Sequence, residues 1–323
     1  MTPRILTLLL LLCSLCGRAH GTAEGVSAAQ FLRFDASART ASLGGAAAAL
    51  DGVQSVFDNP AGLYTVNGPE VTVSYAKWIM DTSYSGLAFA RRFGAGVFAV
   101  GGTYYGVSGM DRYDKYGDKL DGQVSATNKS VSLAYSGKLS QRLLWGGAVK
   151  YIGGELDTEE ASAMAVDGGV AYVAVPDALR VGFYFQNAGA GMKYLSVRDP
   201  LPFTLHMGAR YKWTVSSDPD SSSELSLLAD VAHLRDAGLY SGGGVECAVR
   251  YNGGSSYAVR AGYRTNLRDE GSGASFGLGT TFGRYVLDYS FSPMGVLGTA
   301  QRVSLSVRFG ESGEDSGVSA EGI

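Results

Sequence analysis

The sequence predicts an all-β protein: a 14-stranded antiparallel transmembrane β-barrel with an N-terminal hatch, or plug, in the lumen. Three observations carry this. From Glu70 onward, short segments alternate apolar and polar residues with period two, the pattern of strands with two unlike faces. Fourteen such segments can be counted, an even number, as bacterial single-chain barrels have. Ahead of them lies a small-residue run, Thr40 to Ala49, followed by Asp58-Asn59-Pro60-Ala61-Gly62-Leu63. A compact Gly- and Ala-rich segment before a long strand array is what a plug and its barrel look like in sequence.

In chain order, the first element is a leader. Met1-Thr2-Pro3-Arg4 runs into an unbroken Leu8 to Leu12 and ends near Ala19-His20-Gly21. One positive charge, a short apolar core and small residues at the cut describe a secretory signal peptide over 1–21, too short to span a bilayer. Cleavage is expected after Gly21 or Ala23, and Cys13 and Cys16 leave with the leader. Their Cys-x-x-Cys spacing is a redox motif only in a folded domain, and Leu15 before Cys16 fits a lipoprotein signal poorly. Cys247 then stands alone, so no disulfide staples the mature chain.

Composition agrees with a membrane barrel. The chain holds 46 Gly, 19 Tyr and 13 Phe with 18% charged residues, against roughly 7% Gly and about one quarter charged in soluble domains. Many tyrosines with few charges suit lipid-facing barrels, whose aromatics form girdles at both interfaces. A net charge of −3 with no basic block speaks against nucleic acid.

The next element, 22–69, is the expected hatch. Phe31, Leu32, Phe34, Leu43, Val53, Val56, Phe57 and Leu63 make it too apolar to stay solvated, and a fourteen-stranded lumen has room for it. Pro60 fixes the local backbone, and the Asn59 amide can bond chain groups that water cannot reach inside a plug.

The barrel is expected over 70–309. Near its end, Val303, Leu305, Val307 and Phe309 point one way, and Arg302, Ser304, Ser306 and Arg308 the other. Cys247, Val249 and Tyr251 stand likewise against Glu246, Ala248 and Arg250. Periodicity alone does not separate a soluble sandwich, apolar face inward, from a barrel in lipid, apolar face outward. The connections do: tight ones (Gly94, Gly137-Lys138, Pro176-Asp177, Asn252-Gly253-Gly254, Gly283) alternate with longer ones (107–121, 154–160, 188–201, 265–272). Short periplasmic turns and longer outer loops alternate in this way. The connection 214–223 breaks the rule, being long on the short-turn side. The tail 310–323, rich in Ser, Gly, Glu and Asp, reads as a disordered periplasmic segment.

The stretch Ala38-Arg39-x-x-Ser42-Leu43-Gly44-Gly45-Ala46, with the turn at Asp51 and Asn59-Pro60-Ala61-Gly62-Leu63, resembles the hatch of the FadL-type outer-membrane transporters. Within them it is most similar to the short-looped spirochaetal, PorV/PorQ-like branch. The resemblance implies passive uptake of hydrophobic small molecules, long-chain fatty acids above all. It implies gating by Phe57, Asn59, Pro60, Ala61, Gly62 and Leu63, and lateral exit where a third strand is kinked. Gly101-Gly102 in the middle of the third strand map that kink, since paired glycines weaken a strand. The loop 107–121, charged and Tyr-rich, departs from the greasy capture loops of that family.

Inward charges are expected at Lys150, Arg210, Arg250, Arg260, Arg264, Arg302, Asp230, Glu246 and Asp288, serving mainly to pair within the barrel. Arg39 is the candidate anchor for a ligand carboxylate, or a tie between hatch and wall. Nothing points to an enzyme: His206 and His233 make no triad or metal site with Cys247, and no phosphate loop or cofactor motif is present. Expected partners are a hydrophobic ligand, outer-membrane lipid and the barrel-assembly machinery. The rival reading is a protein-binding outer-membrane barrel, an adhesin or secretion partner, with the loop 107–121 as its surface. A hydrophilic porin ranks third, because the hatch is apolar.

Overall fold

The structure, a computed structural model, describes residues 27–77, 82–114, 116–265, 273–295 and 298–310. The expected signal peptide, most of the connection 265–272 and the tail beyond 310 lie outside these residues.

Fourteen strands form one closed sheet. They are β1 (Glu70–Lys77), β2 (Ser83–Phe93), β3 (Gly96–Tyr113), β4 (Lys119–Ser140) and β5 (Leu143–Leu156). Then come β6 (Glu159–Val175), β7 (Leu179–Gly189), β8 (Thr204–Ser217), β9 (Ser221–Leu234) and β10 (Gly238–Tyr251). The last are β11 (Ser255–Arg264), β12 (Ala274–Phe282), β13 (Tyr285–Pro293) and β14 (Thr299–Arg308). Each pairs antiparallel with its sequence neighbours, and β1 closes the cylinder on β14, with Val73 opposite Leu305. Closure leaves no edge strand, which is what permits a sheet to cross lipid.

Burial resolves the ambiguity of the periodicity. On β14, Arg302 and Ser304 are 4% and 1% exposed, while Val303 and Leu305 are each 43% exposed. On β11, Arg260 is buried while Tyr257, Val259 and Tyr263 are exposed. Polar residues therefore face inward and a belt of Leu, Val, Tyr and Phe faces outward, the reverse of a soluble sandwich and the arrangement of a barrel in lipid.

The strand count holds, and four expected connections move; of these, 154–160 shrinks to a two-residue turn at 157–158 between β5 and β6. β3 and β4 run through most of 107–121, so the expected loop is a hairpin turning near 114–118. Gly137-Lys138 lies within β4, and the turn falls at 141–142. The apparent exception at 214–223 disappears: β8 continues to Ser217, β9 starts at Ser221, and Asp218 N–H donates to the Ser221 carbonyl at 2.8 Å. In each case the strand ends are polar because they stand clear of the apolar belt, where alternation is no longer imposed. Every connection at one rim, here the lower, with the start of β1 and the end of β14, is tight, while the upper rim has the tight turns 157–158 and 235–237 beside longer ones. The longer connections gather at the upper rim.

Residues 27–69 hold one short helix, α1 (Ala38–Ser42), and three 3₁₀ turns, Gln30–Arg33, Val53–Phe57 and Pro60–Thr65. The segment touches β12 and β13 through α1 and β4 to β6 through Pro60–Thr65. Ala38, Leu43, Ala46, Ala48, Ala61 and Leu63 are fully buried. A short segment that is buried and meets opposite walls of a closed barrel lies in its lumen.

Placing a charge on the outer belt tests the orientation. Leu305→Arg is expected to cost about 2–4 kcal/mol of folding stability if the site lies near the bilayer midplane, measured by denaturant titration in lipid vesicles. A neutral effect would mean that Leu305 does not face lipid.

Candidate functional site

The lumenal segment is irregular, so its backbone groups need partners that helices and strands would otherwise provide. Some come from the segment itself. The Ser37 hydroxyl caps α1 by accepting from Arg39 N–H (3.1 Å) and Thr40 N–H (3.4 Å). The Asn59 oxygen likewise accepts from Ala61 N–H at 3.1 Å, with Pro60 in the first helical position. The rest come from the wall. Asp230 on β9 accepts from the Ala47 and Ala48 amides at 2.8 and 2.7 Å. Ser304 on β14 accepts from Ala38 N–H at 3.0 Å, and Gln186 on β7 donates to the Phe57 carbonyl at 2.7 Å.

Asn59 uses its whole amide. Beyond the cap, its nitrogen donates to the Ala48 carbonyl (2.7 Å) and to the Val170 carbonyl on β6 (3.1 Å). It thereby ties two parts of the segment to each other and to the wall. Pro60 and Ala61 press on β5 at Gly146, where a Cβ would lie 2.4 Å from the Pro60 carbonyl carbon. Gly62 packs under Ser55, and Leu63 joins Val53, Val56 and Val97 in an apolar cluster. Phe57 is half-buried and packs beside both this cluster and the one above it.

Two sequence expectations meet a different geometry. Pairing of β3 with β2 and β4 runs without register shift through Gly101 and Gly102, where a kink was expected. The register shifts of β3 lie higher, between Val107 and Met110 and between Asp111 and Arg112. Gly101 makes room instead: a Cβ there would lie 3.0 Å from a Val56 methyl and 3.3 Å from the Phe57 ring. Arg39, the expected carboxylate anchor, is engaged by carboxylates of the protein. It makes a two-pronged contact with Glu246 (3.0 and 2.8 Å) and lies 3.7 Å from Asp51. Glu246 continues to Arg260 (2.5 Å) and Arg260 to Asp288 (2.7 Å), so most of the expected inward charges pair within the barrel.

The segment separates two unlike cavities. The upper one, about 340 Å³, is walled by Phe34, Phe57, Tyr184, His206 and Tyr240 with Leu32 and Leu234. His206 stacks on Tyr184 (centroids 4.3 Å apart, planes 11° apart) and meets Tyr240 edge-on at 6.1 Å. The connection 190–203 packs on the start of the segment: Ala28 N–H donates to the Pro200 carbonyl, and Met192 and Leu201 are buried beside Phe31 and Ala29. The lower cavity, about 310 Å³, is lined by Arg39, Asp51, Glu70, Glu246, Arg250, Arg260, Asp288 and Arg308. The upper one joins that aromatic wall to the charged Arg33, Asp35, Asp58 and Arg264, while the lower one is lined chiefly by charged groups.

Electrostatics fix the segment at its lower side. Burial opposes the charge of Asp51, yet Arg210 (2.9 Å), Arg180 (3.2 Å) and Arg39 hold its carboxyl far below the usual carboxylate range. Asp58, on the upper side, has the opposite fate. Burial, reinforced by the nearby Asp35, pushes it up to about 7, with a hydrogen bond from Thr40 (3.2 Å) only partly offsetting this. Asp35 is itself paired with Arg264 at 2.7 Å.

Reading the sequence did not single out the aromatic wall. Tyr184 and His206 lie opposite each other on β7 and β8, and Tyr240 enters from β10. Their signal is inward phase combined with aromatic type near the upper ends of nearby strands.

Asn59→Ala is expected to destabilise the segment by about 1–3 kcal/mol, read as faster hydrogen exchange of the 60–65 amides while the barrel stays folded. Gly146→Ala should displace the segment, whereas Gly147→Ala, whose Cβ would meet only the Asp167 carbonyl at 3.7 Å, should not; equal exchange in both would sink the close-fit reading. Asp58 binds its proton more tightly folded than unfolded, so its contribution is fully present below about pH 4 and is lost as pH rises through about 7. Asp58→Asn should therefore remove that part of the fall in protease protection of the segment between those values.

No protein-family model matches the chain, and no curated protein sequence matches it. Solved structures do. The chain is similar to TbuX, the toluene transporter of Ralstonia pickettii, with a TM-score of 0.53 at 16% identity, covering 84% of this chain and 97% of that one. The toluene transporter TodX of Pseudomonas putida gives 0.53 at 12% identity, over 83% and 95% of the two chains. CymD, a monoaromatic hydrocarbon channel, gives 0.55 at 12%, over 85% and 97%. At such identities the likeness is one of fold, and at that level it supports the FadL-type resemblance without reaching its spirochaetal, PorV/PorQ-like branch.

Proposed function

We propose that the protein is an outer-membrane channel for small hydrophobic molecules, with the N-terminal segment as its hatch. The single observation that carries this is the upper cavity, which has an aromatic wall of Phe34, Phe57, Tyr184, His206 and Tyr240 and is separated from the lower cavity by the segment. A closed, even-stranded barrel with an apolar belt is the form in which bacterial outer membranes are crossed. Ligand pockets of this kind span roughly 300–1,000 Å³ and are lined mainly by apolar and aromatic side chains. Two toluene transporters and a monoaromatic hydrocarbon channel share the fold, which favours compact ring-sized cargo.

Long-chain fatty acids are the competing cargo. The cation expected to hold their carboxylate, Arg39, lies on the lower side of the hatch, away from the upper cavity, and is paired with Glu246, which makes them the weaker reading. Movement down a gradient is assumed, and the hatch, with Phe57 and Asn59 to Leu63 at its centre, has to shift for cargo to pass. Lateral exit beside Gly101-Gly102 is less favoured than exit elsewhere, given the unbroken pairing of β3 there.

A reversible lock tests the hatch. A Cβ at Gly101 would sit about 3.0 Å from the Val56 methyls, near enough for Val56→Cys and Gly101→Cys to approach the roughly 3.5–4.5 Å Cβ spacing of a disulfide. Cys247, exposed on the barrel, is first replaced by Ser. In a host whose outer membrane lacks hydrophobic-compound channels, the reduced protein should take up labelled toluene, and oleate more weakly, but no small sugar. Oxidation should stop uptake and reductant restore it. Uptake unaffected by oxidation would remove the hatch from the pathway, and sugar uptake would make the barrel a general porin.

A further inference from the structure

The polar groups around the upper cavity are unequally occupied. Gln30 donates to Asp236 (2.7 Å) and to the Ser27 carbonyl (2.9 Å), and Gln186 to the Phe57 carbonyl. Asp35 is held by Arg264, and Asp58 by Thr40. Thr204 and His206 differ. They stand two residues apart on the inward face of β8, 5% and 7% exposed, and Thr204 Oγ1 and His206 Nδ1 have no hydrogen-bond partner. An unmet buried donor or acceptor costs about 1–3 kcal/mol, so two on one patch of a ligand-sized cavity need a reason.

We propose that the upper cavity selects single-ring aromatic molecules bearing a hydroxyl group, with Thr204 and His206 as the hydrogen-bonding pair that reads it. This rests on the channel reading above and deepens it. The ring has aromatic neighbours on several sides: Phe34, Phe57, Tyr184 and Tyr240 all line the same space. At about 340 Å³, the cavity exceeds twice the about 150 Å³ that holds benzene in an engineered site, which leaves room for a substituted ring. Both residues line the cavity, with these two atoms closed off from it. A change of threonine rotamer exchanges the places of its hydroxyl and methyl, and a flip of the imidazole exchanges its nitrogen and carbon edges; either movement brings an atom to the ligand. A phenolic hydroxyl both donates and accepts, so it suits either atom. A site built to bond a hydroxyl discriminates against the analogue that lacks it, because its own polar groups are then left unmet.

The test compares p-cresol with toluene, which differ by that hydroxyl. Binding to the full-length chain in detergent is titrated calorimetrically against empty micelles. The wild type should bind p-cresol about tenfold more tightly than toluene. His206→Phe keeps the stack on Tyr184 without the nitrogens, and Thr204→Val keeps the shape without the hydroxyl. The double variant should bind the two ligands equally, with toluene affinity retained. Thr204→Val alone, should the double variant fail to fold, should lose at least threefold of the preference. Equal binding by the wild type, or a preference that survives in the folded variants, overturns the proposal and leaves the channel reading standing. Binding of neither ligand to a folded barrel overturns both.

Discussion

Irregular backbone enclosed by a barrel has donors and acceptors that bulk water does not reach, and this structure is organised around meeting them. Asp230 accepts two consecutive amides, Ser304 and Ser275 one each, and Gln186 and Ser136 donate to carbonyls of the segment. Asn59 bonds both to its own segment and to β6. Each unmet group would cost about 1–3 kcal/mol, so these bonds decide whether the segment sits in the lumen at all. They also show how the inward polar residues are used: some are spent on the enclosed chain, and others, such as Lys150 with Asp167 and Thr103 with Ser130, pair within the wall.

Close approach is the second condition, and glycine supplies it. A Cβ at Gly182 would lie 1.7 Å from the Ala48 carbonyl oxygen, and one at Gly262 would lie 2.2 Å from Gly44 N. The wall is therefore shaped to the segment, and part of the high glycine content is that shape written into the strands. The two rims then differ by what the segment presents to each. Its lower side offers Arg39 and Asp51 to wall arginines and carboxylates, while its upper side offers Phe34 and Phe57 to Tyr184, His206 and Tyr240.

Much of this was legible in the chain. The period-two pattern yields the strands because the bilayer forces one face to be apolar, and Leu305 against Ser304 states that rule in two residues. It fails beyond the belt, at 107–121 and 214–223, where solvated strands need no alternation and polar composition imitates a loop. Asn59 could be picked out because Asn-Pro after a small-residue run is a local signal. The contacts of Gly101 and Arg39 could not, since each depends on a partner far along the chain: Val56 packed across the lumen for one, Glu246 on β10 for the other. A glycine pair that makes room for another chain and one that bends its own strand look alike in sequence. The aromatic wall escaped notice for the same reason, as Tyr184, His206 and Tyr240 become neighbours only once β7, β8 and β10 are assembled.

For the proposed hatch, the close fit constrains how the segment could open. Along its length the segment is bonded to β4, β6, β7, β9 and β14, and its carbonyls and amides interlock with wall backbone at glycine positions. A small slide would bring segment atoms against those strands before it broke any bond cleanly, so intermediate positions are unfavourable. Packed interfaces of this kind are bistable rather than continuously deformable. Release is then a local, cooperative event in which several wall contacts are lost together. The weak point is the upper side, where Asp58 is buried beside Asp35 with a single neutral donor, rather than the lower side, where three arginines converge on Asp51. In the proposed channel, a ligand arriving in the upper cavity would meet the less firmly held face of the segment first, and its contacts with Phe34 and Phe57 would be the ones through which its binding energy could bias the two states.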